Sequence, residues 1–142
     1  MKLLIDTNIF LEIILEQEKA DDAKALLESA GKHDLFISDY SLHSIGLLLF
    51  RRKQHDIFQQ FVEDITVNAG VSVLSASVDD MEVIVAAAKK HNLDFDDAYQ
   101  YGLAEKNGLI LVSFDSDSTG QNADGKLPPK FSTDDLTPWL SP

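Results

Sequence analysis

The chain opens KLLIDTN at residues 2–8. Leu3, Leu4 and Ile5 form an unbroken apolar run, the pattern of a strand covered on both faces in a parallel sheet. The run stops at Asp6. Thr7 and Asn8 are good helix N-cap residues, and a helical pattern starts at Ile9. Asp6 therefore stands where a central strand gives way to a helix. In open α/β sheets, ligands bind at the carboxyl ends of strands. A carboxylate placed there is solvated, hydrogen-bonded or paired with a cation. Two readings of Asp6 stay open on this stretch: a helix cap, or one ligand of a divalent metal that other carboxylates join.

The rest of the chain repeats the alternation. A first helix is expected over 9–16, with Phe10, Ile13 and Ile14 on one face. A second is expected over 20–30, closed by Gly31. Residues 35–37 read as a strand. Ser38, Asp39 and Ser41 offer caps for a third helix to Phe50, rich enough in Ile and Leu to expect deep burial. Residues 55–67 read as a fourth helix, stopped by Gly70, with Ile57, Phe58, Phe61, Val62 and Ile65 inward. Val71, Val73 and Leu74 suggest a third strand. Ser77 is expected to cap a fifth helix to Lys90, with Asp79, Asp80 and Glu82 in its first turn, where the macrodipole favours anions. Met81, Ile84, Val85 and Ala88 would face the core. Asp94-Phe95-Asp96-Asp97 opens a sixth helix ending near Lys106, and residues 109–112 form the most strand-like run. A polar loop over 118–130, an edge strand from Phe131 and a final turn opened by Thr137-Pro138 complete the chain. Strands alternating with helices predict a single doubly wound α/β domain over 1–142, its central parallel sheet flanked by helices. Right-handed crossovers put every strand's carboxyl end on one edge.

Composition narrows the function classes. The 142 residues are 44% hydrophobic, enough for one domain with a core. No apolar run reaches membrane-spanning length and no signal-peptide pattern opens the chain, so a cytoplasmic protein with no membrane partner is expected. With no cysteine, any metal must be held by oxygen or imidazole. A net charge of −12 disfavours sequence-independent binding along nucleic acid and suits divalent cations or a basic partner. Scattered solubilising acids are the blander explanation.

Acids mark three strand ends or the helix starts beside them: Asp6, Asp39 with His43 soon after, and Asp115 with Asp117. Asp96 and Asp97 open the helix that leads into the Asp115 strand. A few carboxylates drawn from different loops suit a hard cation such as Mg²⁺, which can activate water and stabilise phosphoryl charge. Taken alone, Asp96 and Asp97 read more readily as capping acids. Other acid patterns fail. A calcium loop starting at Asp115 would need a bidentate Glu where Lys126 stands. A haloacid-dehalogenase-type phosphatase has no room after Asp117. A response-regulator receiver needs a carboxylate after the third strand, and residues 74–77 have none. Arg51, Arg52 and Lys53 form a basic cluster that reads as a solvated helix end or as RNA-phosphate contacts. His33, His55 and His91 read as surface residues, and Tyr99 and Tyr101 as packing residues.

In order and spacing, IDTN at 5–8, the Asp97-Ala98 pair with Ala104 beyond it, and LVSFDSD at 111–117 resemble the PIN-domain ribonucleases. In size and layout the resemblance is to the VapC-type toxins of toxin–antitoxin pairs. It covers nearly the whole chain. It implies metal ligation by Asp6, Asp97 and Asp115 with Mg²⁺ or Mn²⁺, and help from Asp117. Thr7, Asn8 and Ser113 would orient the ligands, with Asp96 and Asp39 in support. It further implies RNA phosphodiester hydrolysis, a homodimer, and a small antitoxin that inserts a basic side chain. The family usually places a Glu early in the third helix, and His43 is read as standing there. His43 could ligate Mn²⁺, act as a general base, touch phosphate, or fill the acid's space. Asp39, four residues earlier, could partly replace the acid. The rival reading is a catalytically weakened PIN-like domain that binds a protein or an RNA.

Overall fold

A computed structural model describes residues 1–114 and the backbone of residues 130 and 131. Five parallel strands run in the order β3-β2-β1-β4-β5: β1 Lys2–Ile5, β2 Asp34–Ser38, β3 Ser72–Leu74, β4 Ile110–Val112 and β5 Lys130–Phe131. The helices are α1 Thr7–Ile14, α2 Ala20–Glu28, α3 Asp39–Arg51, α4 His55–Glu63, α5 Met81–His91 and α6 Phe95–Asn107. The doubly wound parallel sheet is as expected.

β1 sits at the centre because its side chains can be covered on both faces. Leu3, Leu4 and Ile5 have no exposed surface, and burying each contributes roughly 1.5–3 kcal/mol. Alternation along the strand sends Leu3 and Ile5 into one core and Leu4 into the other. The first core gathers residues of α1, α2, α3 and α4, including Phe10, Leu26, Ile45 and Phe61. The second gathers Ile84 of α5 and much of α6 beneath Leu4 and Leu111. Residues 98–104 of α6 are all buried. Small residues let the helices approach closely: a Cβ on Gly102 would stand 2.9 Å from Ile84 Cγ1.

Several boundaries and faces differ from the sequence reading. α1 starts at Thr7 and its cap is Asp6 itself. α2 ends at Glu28 and tightens into a 3₁₀ turn through Gly31, so Gly31 is not a left-handed cap. α4 ends at Glu63 and passes into a π turn, Asp64–Asn68. The helix expected from Ser77 begins at Met81; the Ser77 N–H donates to Asp80 Oδ2 at 2.8 Å, and this turn precedes α5. α3 is amphipathic rather than deeply buried. Ile45 and Leu49 are inside, while Leu47 and Phe50 are 45% and 52% exposed, because the outer face of α3 has no further described layer over it. Ile57 and Val85 are exposed for the same reason. His33 is buried, its Nδ1 3.1 Å from the Met1 amino group, and is not a surface residue. Tyr99 and Tyr101 are packed inside, as expected. The loop beyond Phe114 up to residue 129, with Asp115 and Asp117, and the turn at 137–140 lie outside the described residues.

Among the described residues no helix is long and apolar enough to cross a membrane.

Candidate active site

Strand order reverses at β1. The chain leaves β1 towards β2 and β3 on one side, and returns to β4 on the other. The crevice beyond the carboxyl ends of β1 and β4 is therefore the topological switch point, where adjacent loops part and a ligand finds room. Asp6 stands at its floor. Its N–H donates to the Val112 carbonyl at 2.9 Å, which carries the β1–β4 pairing one residue past the strand. Its Oδ1 accepts from the Thr7 N–H at 2.8 Å and from Gln100 Nε2 at 3.3 Å. Both donors are neutral, so they orient the carboxylate without adding a positive charge beside it.

A buried polar junction backs Asp6. Ser41 Oγ of α3 lies 2.7 Å from Thr7 Oγ1, 3.0 Å from Gln100 Nε2 and 3.2 Å from Ser38 Oγ, and the Ser38 hydroxyl caps α3 through the Ser41 N–H. Elements α1, α3 and α6 thus meet around one serine. Asn8 ties α1 to the end of β4. Its Nδ2 donates to Ser113 Oγ at 3.0 Å, and its Oδ1 lies 3.5 Å from the Phe114 nitrogen. These contacts stand directly before Asp115 in the chain.

Asp94 caps α6 by accepting from the Asp97 N–H at 2.9 Å. Asp97 is half-buried, and Asp96 and Asp97 precede Gln100 by four and three residues, so α6 carries both on the side of Gln100. Asp96 meets Tyr40, whose phenol is held above its ordinary value first by burial and then by Asp96, with a Ser44 contact opposing. Asp39 is engaged by Tyr99, whose O–H donates to Oδ1 at 2.6 Å while accepting from the Ala76 N–H. Burial first, and the Asp39 bond second, push the Tyr99 phenol up.

The structure joins Thr7 to Asp6 and Asn8 to Ser113 at the ends of β1 and β4. It does not bring His43 to them. His43 is exposed and lines a groove with Leu42, Gly46, Leu47, Phe50 and Phe58 on the outer face of α3. The α3 residue that reaches the support of Asp6 is Ser41. Arg51 and Arg52 are exposed and stand about 15 Å along α3 from Ser41, at 1.5 Å per residue. Gln100 escaped the sequence reading. Its signal was an amide within a run of small and aromatic residues, three places after Asp97.

Among the described residues no three acids or histidines are grouped closely enough to hold a metal. Asp115 and Asp117 lie outside the described residues. One observation fits an oxygen-liganded cation here. Gln100 is 4% exposed, yet among the described residues its Oε1 has no hydrogen-bond partner. Leaving such an acceptor unmet costs about 1–3 kcal/mol.

A parallel α/β domain with orientated acids at its switch point belongs to the class that binds ligands beyond the strand ends. A family model for the PIN domain matches residues 3–121, and the chain belongs to the PIN-domain family. Its fold is similar to VapBC2 from Rickettsia felis, solved with a fragment of promoter DNA (TM-score 0.67, 16% identity, 80% of this chain and 88% of that one). It is also similar to VapC20 of Mycobacterium tuberculosis, described as a sarcin-ricin-loop-cleaving toxin (TM-score 0.65, 22% identity, 81% and 91%). A toxin–antitoxin complex from Klebsiella pneumoniae gives a TM-score of 0.63 at 20% identity, over 83% and 93%. At these identities the likeness concerns the fold. No curated protein matches the chain.

Proposed function

We propose that this chain is a metal-dependent endoribonuclease and the toxin of a toxin–antitoxin pair. The observation that carries this is Asp6, held at the β1–β4 switch point of a PIN-family fold by α1 and α6 together. Asp6, Asp97 and Asp115 would hold Mg²⁺ or Mn²⁺, with Asp117 adding charge nearby. Such an ion supplies positive charge to a phosphodiester and makes water a stronger nucleophile near neutral pH. The chain's own residues prepare that site. The Thr7 N–H and the Gln100 amide both fix Oδ1 of Asp6. Asn8 and Ser113 fix the end of β4, from which Asp115 follows. An RNA that runs along α3 would reach Arg51 and Arg52. The partners proposed are RNA, a small antitoxin with a basic side chain for the acidic crevice, and a second copy of the chain. The location proposed is the cytoplasm.

Asp6→Asn tests the reading. It keeps an N-cap acceptor of equal quality and removes the charge. Cleavage of RNA in Mg²⁺ or Mn²⁺ should fall by at least about 100-fold, the upper end of what loss of an outer-shell partner costs. Unchanged cleavage would sink the assignment.

A second reading has its own observation. α3 turns Ser41 to the support of Asp6, while His43, read as standing where the family usually has a Glu, is exposed on its outer face. A site short of one acid could bind a cation weakly and serve as a protein- or RNA-binding module. Cation binding with no cleavage of any RNA would favour it.

A further inference from the structure

The residue the acid site leaves unexplained is Gln100. It is nine-tenths buried, sits at the junction of α1, α3 and α6, and spends both described contacts on its nitrogen. The orientation of its amide is fixed by chemistry. Asp6 Oδ1 accepts only, so the group facing it at 3.3 Å must be the NH₂. Turning the amide over would set oxygen against carboxylate. Among the described residues Oε1 is thereby left without a donor, in a place closed to bulk water. Buried polar groups in folded chains are almost always paired. A leucine or methionine there would carry no unmet acceptor, but would leave Asp6 and Ser41 without the amide donor.

We infer that Gln100 is a positioning residue of the acid site: its nitrogen holds Asp6 towards the crevice for a divalent cation, and the unmet oxygen is what that orientation of the amide costs. This rests on the metal-site reading of the proposed function. Partners that orient a metal's ligands tune metal affinity by about 10–100-fold. Ser41 completes the support: its hydroxyl accepts from the same amide nitrogen and is itself held by Thr7 Oγ1.

The test has two arms. In the first, the side-chain NH₂ resonances of Gln100 in the wild-type protein are followed by ¹⁵N NMR during a Mg²⁺ titration, with Asp6→Asn as the control. A saturable shift that is lost in the control is expected. In the second, Mn²⁺ binding is measured by calorimetry for wild type and Gln100→Met, alongside the melting temperature without metal. The variant should bind about 10–100-fold more weakly, beyond any fall in melting temperature from the two lost Nε2 bonds. A purely structural glutamine would move the melting temperature and leave the affinity alone, which would overturn the assignment. Wild type that binds Mg²⁺ with the Gln100 resonances unmoved would overturn it too, and leave the metal site standing. Wild type that binds neither cation overturns both. If Gln100→Met fails to fold, the wild-type titration still decides.

Discussion

Gly102→Ala measures how tightly the site-bearing helix is held. Gly102 lies inside α6, three residues before Glu105 and two after Gln100. An alanine there gains about 1 kcal/mol of helix propensity. Its Cβ would stand 2.9 Å from Ile84 Cγ1, well inside ordinary contact. Ile84 cannot step aside cheaply, because it is β-branched, lies in α5 and is 2% exposed. Overpacking of this kind costs about 1–3 kcal/mol, so the net loss is roughly 0–2 kcal/mol. The sharper quantity is the coupling. In an Ile84→Ala background the clash is gone, and the same substitution should stabilise by about 1 kcal/mol. The two backgrounds should therefore differ by about 1–3 kcal/mol. Urea unfolding of the four proteins gives the cycle. A stabilising Gly102→Ala in the wild-type background, or equal effects in both, would refute the reasoning. The clash also pushes α6 away from α5, and α6 carries Gln100 and Asp97. RNA cleavage should fall further than stability alone explains, since small displacements of positioned groups cost rate steeply.

Asn8→Ala removes the tie between α1 and the β4 exit. We expect a loss of about 1–2 kcal/mol in urea unfolding and weaker Mn²⁺ binding by calorimetry; unchanged affinity would mean that Asp115 needs no such anchor. Tyr99→Phe unties Asp39 and the Ala76 N–H and should cost about 1–2 kcal/mol in the same assay. The Tyr99 phenol lies above 10.0 through burial and then Asp39. Its neutral form is favoured by the fold, so its contribution is complete below pH 10 and is lost as pH rises through the folded value. Wild-type melting temperature should fall more steeply above pH 10 than that of Tyr99→Phe, and parallel profiles would count against this. Asp80 behaves oppositely. Lys106 first, then the Ser77 N–H, hold its carboxyl below 3.8. Its contribution is present above that value and lost on acidification, and Lys106→Met should flatten the acid limb of the melting profile.

What the sequence determined by itself was local. Three apolar residues and an abrupt Asp place a central strand and an acid at its carboxyl end, because a strand covered on both faces needs no polar position. Asp94, with Asn107-Gly108 thirteen residues later, brackets α6, because caps and left-handed turns depend on a few adjacent residues. The alternation of such segments determined the parallel sheet. Which way a helical side chain points was decided only by tertiary packing. Ser41 and His43 are two residues apart in sequence, yet only Ser41 turns inward, because α3 buries Ser41, Ile45 and Leu49. Leu47 and Phe50 are as apolar as Leu49 and lie outside for the same reason. Gln100 could be given a role only once α6 lay against β1, since its partner Asp6 is 94 residues away. Period and capping act over one or two turns of chain, whereas the floor of the crevice is set by contacts between elements that the sequence keeps far apart.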